Sequence, residues 1–407
     1  MSDSGADTSG AAWIVLLAGV AAALHIAKLP PAIPVLQREL GITLVQAGFL
    51  LSLVQLASMG LGVVAGLVGD GFGLRRSMLT GLALLTAAGF AGGWAHDVGS
   101  LLALRALEGL GFLMTTVPAP SLIRRCVPPS RLTRMLGFWG AFMPFGTALA
   151  LLAGPVVMRE VNWPGWWWLI ALISAAAALW VARSVPADGP RRADVGAGGG
   201  WRTRLARTLR GGGPWLAALC FAVYSAQWLA VIGFLPALYE ASGWTGMLGA
   251  VLTALVAAVN MVGNIAAGRL LSRGAAPFVM LACGFAAMAV GTFLAFGALT
   301  EQAPVWRYLG AIVFSMCGGL IPGGLFGLAT RLAPGPETVS TTVGWMMQWS
   351  AIGQFFGPPL VAWVASRAGT WQWTWVLLGL CSVAGMGLAW LIGRRLSKGE
   401  QGAIRIE

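Results

Sequence analysis

Four ionisable residues lie inside apolar stretches of this sequence, where there is no water to solvate them. His25 and Lys28 are three residues apart in one stretch. Arg105 and Glu108 have the same spacing in another stretch. Residues three apart on a helix share a face, and a charge at a membrane centre costs about 3 kcal/mol on insertion scales, so such groups normally face the protein interior and pair. The spacing therefore predicts a buried polar site.

The charge balance of this site predicts what it binds. Three potential cations, His25, Lys28 and Arg105, accompany one carboxylate, and a cation in low dielectric stabilises a neighbouring negative charge. We therefore expect a small anionic or strongly polar substrate. Glu108 and His25 are the groups expected to carry a coupled proton. Lys28 and Glu108 lie at similar depth in their stretches, so a Lys28–Glu108 pair or an Arg105–Glu108 pair is geometrically possible.

Lys28 and His25, the two residues in the first stretch, also have simpler interpretations. Lys28 comes just before Pro30-Pro31, where the helix is expected to end, so its ammonium is able to extend to the outer membrane interface. His25 is equally interpretable as a hydrogen-bonded packing residue.

The second half of the sequence offers polar but uncharged side chains inside its apolar stretches. Asn260 and Asn264 share one helix face, where we expect them to contact a substrate or each other. For Trp228, Trp345 and Trp349, packing is favoured over lining of a cavity. The candidate substrate contacts in this half are Gln227, Asn260, Asn264 and Gln348.

The elements that position these residues are predicted to be membrane-spanning helices. Apolar residues make up 57% of the chain and charged residues 10%, whereas ordinary soluble domains carry about 25% charged residues. A hydrocarbon core of about 30 Å needs roughly 20 apolar residues per helix, and no alternating pattern of a barrel is present. Tryptophans at 163, 166, 167 and 168 are expected to form an interfacial belt. Twelve runs are long enough: 12–36, 44–69, 77–95, 100–122, 133–158, 165–184, 214–239, 246–270, 276–299, 305–330, 338–365 and 371–393.

The basic residues are distributed unevenly across these predicted spans. Twenty of the 26 Lys and Arg residues fall on one side of the membrane and four on the other. Loops rich in Lys and Arg stay in the cytoplasm, so we expect both termini and the loop 185–212 to be cytoplasmic. The net charge of +12 then reflects membrane topology, and a nucleic-acid partner is not predicted.

A long hydrophilic segment divides the twelve runs six and six. We expect an N-terminal six-helix bundle over 1–184, a linker over 185–213, a C-terminal six-helix bundle over 214–393 and a tail over 394–407. Within the linker, WRTRLARTLR (201–210) is equally interpretable as a short amphipathic surface helix or as a solvated connection.

Several motifs resemble those of the major facilitator superfamily. GLVGDGFGLRR (66–76) resembles the loop between its second and third helices, with Gly71 and Leu74 in place of two usual basic residues. GRLLSRG (268–274) resembles a degenerate second copy. RALEGLG (105–111) is similar to the RxxQGxG pattern of the fourth helix, with Glu108 at the Gln position. Glycine and proline pairs at Gly154-Pro155 and Gly357-Pro358 resemble the glycine-proline motif of the family.

The resemblance implies an all-α integral membrane protein in which twelve transmembrane helices form two pseudo-symmetric six-helix bundles. Such a fold implies a secondary transporter that works by alternating access, usually as a monomer, in the lipid bilayer. The segment 28–52 is similar to the cyanate and nitroimidazole-type branch, which implies a small acid or anion. We expect the coupling ion to be a proton and the location to be the inner membrane of a bacterium. By resemblance, the residues of a cytoplasmic latch are Asp70, Gly66, Gly73, Arg75 and Arg76.

Other functional classes receive less support from the sequence. No GxxxxGK[ST] phosphate loop is present, so transport energy is expected from a gradient, and no cofactor is predicted. Two histidines cannot build a metal site alone, and no cluster of catalytic type indicates an enzyme. A proton-driven multidrug efflux antiporter remains an alternative on the same fold. A non-transporting membrane receptor or assembly protein is the alternative from another class.

Overall fold

The computed structural model describes residues 9–62, 73–188, 201–244 and 246–404. Within these ranges the backbone is helical or forms short turns, with no strand. Apolar runs fold this way because hydrocarbon offers no hydrogen-bond partner, and a helix satisfies its backbone groups internally.

Eight helices of the first half lie entirely within the described residues, and residues 56–62 are helical as well. A 3₁₀ turn at Pro30–Ala32 joins the first two helices, which together make one apolar span. The helices are α1 (Ser9–Ala27), α2 (Ile33–Leu40), α3 (Leu44–Ser52), α4 (Leu74–Gly93), α5 (Val98–Thr116), α6 (Ala119–Cys126), α7 (Pro129–Gly140) and α8 (Phe142–Ser184).

The second half contributes nine helices. The linker segment 201–210 is helical, which agrees with its interpretation as a short amphipathic helix. The helices are α9 (Trp201–Arg210), α10 (Gly212–Ala241), α11 (Gly246–Ala258), α12 (Asn260–Ser272), α13 (Pro277–Phe296), α14 (Pro304–Gly318), α15 (Leu320–Leu332), α16 (Val339–Ala368) and α17 (Thr374–Ile404).

Wherever the chain is described, the twelve predicted runs lie on helices, which short turns interrupt at positions such as 28–29, 117–118 and 297. Nine helical stretches in these ranges are long and apolar enough to cross a membrane. One of them, α8, bends at Asn162, whose φ of 59° is left-handed, and so accommodates two of the predicted runs. The runs 77–95 and 338–365 correspond to α4 and α16. The all-α, membrane-spanning fold class is therefore confirmed.

The described chain forms two compact units, and each unit draws on both halves of the sequence. The predicted bundle boundary at 185–213 stays a prediction. One unit takes its residues from Met1–Ile42, Val64–Ala193 and Pro236–Ala254, and the other from Thr43–Val63, Asp194–Leu235 and Leu255–Glu407.

The first unit has its core where α1 packs along α8 and against α4. Ala12, Ala18 and Ala22 of α1 are fully buried in the same cluster as Met78 and Leu82 of α4. Small side chains let the helix axes approach closely, which is how membrane helices gain van der Waals contact without a hydrophobic driving force.

The glycine-proline motifs occupy matching positions in the two halves. A methyl group at Gly146 of α8 would lie 2.7 Å from Cβ of Ala23 in α1. A methyl group at Gly357 of α16 would meet the backbone oxygen of Ala226 in α10. Glycines therefore bring α8 into close contact with α1 in the first half, and α16 into close contact with α10 in the second half.

A chain of polar side chains crosses the second unit. Gln55, which follows α3, donates from Nε2 to Oε1 of Gln354 on α16 at 2.9 Å. Gln354 donates in turn to Oγ of Ser350 at 3.1 Å, and that hydroxyl lies 2.7 Å from Oγ of Ser225 on α10. These bonds tie the stretch Leu44–Gly62 to helices from the other half of the sequence.

Close packing at Gly263 in α12 leads to a stability prediction. A methyl group there would meet the backbone oxygen of Met316 and lie 2.9 Å from Cα of Gly319, and backbone atoms cannot move aside as a side chain does. We expect Gly263→Ala to destabilise the protein by about 2 kcal/mol, as overpacking typically does. The measurement is the thermal unfolding temperature of the purified protein in detergent.

Gly268→Ala in the same helix is the matched control. A methyl group at Gly268 meets nothing within 4 Å, and alanine favours a helix over glycine by about 1 kcal/mol. The control is expected to unfold at the same or a higher temperature than the parent. Equal unfolding temperatures for the two variants would contradict the close approach of α12 to α14 and α15.

Candidate functional site

The carboxylate of Glu108 is the centre of a buried charged cluster in the first unit. Its Oε1 accepts a hydrogen bond from Nζ of Lys28 and lies 2.9 Å from Nδ1 of His25. Its Oε2 accepts from Nη1 of Arg105 at 2.6 Å. None of the four side chains is more than 1% exposed. The structure therefore brings together all four ionisable residues that the sequence singled out, and both of the ion pairs considered there form.

Local helix structure sets these side chains in place. Arg105 and Glu108 are one turn apart on α5, so the guanidinium reaches the carboxylate on the same face. The helix begins at Asp97, whose Oδ1 accepts from the backbone nitrogen of Ser100 at 2.9 Å. Hydrogen bonds from Ser100 hold the pKa of Asp97 below its ordinary value. The capped start of α5 thus lies two to three turns from the cluster.

The second part of α8 closes the cluster with aromatic and hydroxyl groups. Nζ of Lys28 lies 4.8 Å from the ring centre of Trp167, close enough for a cation–π interaction. Nε1 of Trp166 donates to the backbone oxygen of Lys28 at 3.0 Å. Because the Lys28 side chain is fully buried and directed at Glu108, it does not extend to the membrane interface.

His25 is bonded at both ring nitrogens. A carboxylate only accepts hydrogen bonds, so the contact with Glu108 assigns the hydrogen to Nδ1. Nε2 then accepts from Oγ of Ser174, which lies 2.8 Å away. If His25 gains a proton at Nε2, the hydroxyl turns to accept from it, and no heavy atom has to move. The imidazole is therefore able to change its protonation state in place.

One carboxylate serves two cations in this cluster, Lys28 and Arg105. The cluster therefore carries an excess of one positive charge when both are charged and His25 is neutral. Arg105 distributes its charge further by donating from Nη1 to the backbone oxygen of His25 at 2.5 Å. Removing one partner of a buried ion pair typically costs about 3–5 kcal/mol, because the other charge is left uncompensated. If Glu108 is neutralised, another anion is therefore needed to compensate the charges of Lys28 and Arg105.

The predicted polar residues of the second half form a neutral network in the other unit. Nδ2 of Asn260 donates to the hydroxyl of Tyr224 at 3.0 Å and to the backbone oxygen of Ser315 at 2.8 Å. Nδ2 of Asn264 donates to Oδ1 of Asn260 at 2.9 Å. The two asparagines thus contact each other.

The two glutamines predicted in the same half lie in different surroundings. Gln227 is fully buried, donates to the backbone oxygen of Val223 at 3.1 Å and accepts from Oγ of Ser382 at 2.9 Å. Gln348 is half-buried on α16, and a methyl group at Gly62 would lie 3.2 Å from its Cβ. The hydrogen bonds of Gln227 to Val223 and Ser382 bind it within the fold.

The predicted latch is described only in part, because Gly66 and Asp70 lie outside the described residues. Gly73 begins α4 with a left-handed φ of 98°. The backbone nitrogens of Arg75 and Arg76 each donate to the carboxylate of Asp188 at 3.1 Å. Acceptors at a helix N-terminus satisfy its unpaired N–H groups, so Asp188 caps α4 from more than 100 residues away in the chain.

Sequence reasoning did not single out Ser174 or Asp188, and it gave Trp166 and Trp167 a different role from the contacts with Lys28 that the structure shows. The interpretation of Trp163, Trp166 and Trp167 as an interfacial belt is wrong, since all three are at most 4% exposed. A serine or aspartate acquires its role here from contacts that are distant in sequence.

Comparisons with known proteins agree with the helical architecture. A family model described as Major Facilitator Superfamily matches residues 15–358, which confirms the resemblance of the motifs. A bacterial homologue of the human lysosomal transporter Spinster, solved in an inward-facing and unoccupied conformation, superposes with a TM-score of 0.76 over 98% of this chain and 99% of that one. Its sequence identity is 14%, so this likeness concerns the fold.

Two relatives are named for different compounds, 2-nitroimidazole and puromycin. The 2-nitroimidazole transporter of Escherichia coli is 27% identical over 381 residues, which cover 89% of this chain and 91% of that protein. The puromycin resistance protein of Streptomyces alboniger is 32% identical over 158 residues, or 39% of this chain. The match spans about a third of that protein's length, 31%.

The shared carboxylate leads to a prediction for Glu108→Gln. The change leaves Lys28 and Arg105 buried without a counterion, so we expect a loss of about 3 kcal/mol or more. The measurement is the thermal unfolding temperature of the purified protein. Adding Lys28→Met to this variant is expected to recover part of the loss, because one uncompensated charge is then removed.

Glu240→Gln is the matched control for this loss of one carboxylate. Glu240 pairs with Arg38, but the two side chains are 39% and 62% exposed, and such pairs contribute at most about 1 kcal/mol. If Glu108→Gln unfolds at the same temperature as this control, Glu108 is not the buried counterion.

Proposed function

This chain belongs to the Major Facilitator Superfamily, and we propose that it moves a small anionic or strongly polar solute by alternating access, coupled to protons. The family consists of transporters and not enzymes. The single observation that carries the proposal is the sharing of Glu108 between Lys28 and Arg105 in a site closed from solvent.

The class of substrate follows from what is able to replace the carboxylate of Glu108. Lys28 and Arg105 already hold one anionic group by charge-assisted hydrogen bonds, which are the strong ones in low dielectric. A substrate anion that entered the cluster would meet the same donors. The 2-nitroimidazole transporter, similar to this chain over 89% of its length, bears the name of a small polar solute and thus favours this size class.

Proton coupling follows because Glu108 and a substrate anion compete for the same donors, Lys28 and Arg105. A proton on Glu108 removes the negative charge that neutralises Lys28 and Arg105, so an anionic substrate binds more readily to the protonated site. Proton and anion then occupy the cluster together, and the number of charges buried there stays unchanged. His25, in contact with the carboxylate and able to hold a proton in place, is the proposed relay.

The remaining assignments belong to the same proposal. Asn260, Asn264, Gln227 and Gln348 supply neutral contacts in the second half, which carries no ion pair comparable to Glu108 among its described membrane helices. Gly66, Asp70, Gly73, Arg75 and Arg76 form the cytoplasmic latch. The protein works as a monomer in a bacterial inner membrane with both termini cytoplasmic, and two six-helix bundles (1–184 and 214–393) are joined by the linker 185–213.

Substrate affinity provides one test. Purified protein is reconstituted into proteoliposomes and screened with small organic and inorganic anions, 2-nitroimidazole and puromycin. For the solute transported, we expect Lys28→Gln and Arg105→Gln to raise the apparent KM about tenfold, the effect of losing one charged hydrogen bond. Arg38→Gln, which removes an exposed cation, is the control and should leave the KM unchanged.

An unchanged KM in both cluster variants, with the protein still folded, would contradict the proposed binding site. Ordinary unfolding temperatures and tryptophan fluorescence establish that the variants are folded.

Proton coupling is tested separately with Glu108→Gln. An imposed pH difference drives accumulation in the parent protein, and we expect the variant to lose this response. The variant should still exchange labelled for unlabelled solute down a gradient, because exchange needs no net proton movement. Accumulation against a gradient by Glu108→Gln would show that another group couples the proton.

Drug efflux is a second candidate function, favoured by an aromatic cluster in the second unit. The Trp215 ring packs edge-on against those of Trp345 and Trp349, with ring centres 4.9 and 5.4 Å apart. The indole nitrogens of Trp345 and Trp349 are buried without a partner in the described structure, so they are able to donate to a bulky aromatic solute. The relative named for puromycin resistance favours the same function. Transport of puromycin and not of small anions in the proteoliposome screen would select it.

A further inference from the structure

A recess lies beside the ends of α10 and α17 in the second unit, remote in sequence from the charged cluster. Its volume is about 320 Å³, and it is lined by Leu216 of α10 and by Leu391, Arg394 and Arg395 of α17. Two leucines and two arginines combine an apolar wall with two fixed positive charges. Among the described residues, no acidic side chain belongs to this lining.

Arg395 is held against the first turn of α10. A methyl group at Gly212 would lie 2.8 Å from its Nη1, and one at Gly213 would lie 3.3 Å from its Nε. The two glycines thus make room for the guanidinium. The N-terminal end of a helix is itself partly positive, so a cation beside it is unfavourable until an anion joins them.

Arg394 is oriented by the neighbouring ring of Trp390. Its guanidinium carbon lies 4.6 Å from the ring centre of Trp390. Trp390 is 47% exposed and Leu391 is 42% exposed, so an apolar surface continues from the two charges along α17. None of the ion pairs formed within the described ranges involves Arg394 or Arg395.

We propose that this recess binds an anionic phospholipid. The two guanidiniums hold its phosphate, since arginine matches phosphate with paired hydrogen bonds, and an acyl chain lies along Leu391 and Trp390. The apolar wall selects a lipid over free phosphate. Arg394 and Arg395 begin the basic tail, which is predicted to lie on the cytoplasmic side, where anionic lipids attract such residues.

The test compares lipid binding by the full-length protein and by Arg394→Gln/Arg395→Gln. Dioleoyl phosphatidylglycerol, dioleoyl phosphatidylcholine or sodium phosphate is added to protein in a neutral detergent. Retained lipids are counted by native mass spectrometry, and unfolding temperatures are recorded. We expect phosphatidylglycerol alone to raise the unfolding temperature, and the double variant to bind it about tenfold more weakly, since each cation near a membrane surface contributes a several-fold preference.

Arg269→Gln/Arg273→Gln is the matched control, because it removes two exposed arginines from the end of α12 on the same predicted side. It should bind phosphatidylglycerol like the parent. Arg394→Lys/Arg395→Lys retains both charges and should keep most of the preference, which separates lost binding from lost folding. Equal losses in the two glutamine variants would overturn the site. An equal shift with sodium phosphate would overturn its assignment to a lipid.

Discussion

The first unit depends on one carboxylate that has to neutralise two cations, Lys28 and Arg105, without water. Glu108 does so only because α1, α5 and the second part of α8 meet closely enough to exclude solvent from all four ionisable side chains. In such low dielectric an ion pair is strong, and an unpaired charge is correspondingly costly. Binding, proton exchange and stability therefore share the same few atoms, and any cargo anion has to compete with Glu108 for its donors.

Close approach of helices makes this burial possible, and small residues make the approach possible. The fully buried alanines of α1 lie against α4 and α8, while Gly146 admits Ala23. In the second half, Gly357 has the same relation to the backbone of α10. Membrane helices have no water to expel from between them, so contact distance decides their association. The repeated glycines therefore help to position the polar groups, because they set the distances between the helices that carry them.

The two halves use this scaffold for different chemistry. The first half buries charge, whereas Asn260, Asn264 and Tyr224 in the second half form a neutral network of hydrogen bonds. An amide network tolerates a change of protonation elsewhere, because it holds no charge that has to be balanced. The two halves therefore differ in their polar sites. Their loop motifs differ as well, because Ser272 stands where the first half has Asp70.

The sequence by itself determined the helical runs and the family resemblance, and it showed that Lys28 or Arg105 could pair with Glu108. The tertiary structure decided that both pairs form and that Lys28 does not extend to the interface. Apolar length, three-residue spacing and the cost of a lone charge in hydrocarbon are all properties that a local stretch of sequence displays. Only the tertiary structure decided that Ser174 would meet His25, that Trp167 would cover Lys28 instead of facing lipid, and that Asp188 would cap α4. Those roles come from contacts between residues about 110 to 150 positions apart, for which the residue types involved carry no local signal.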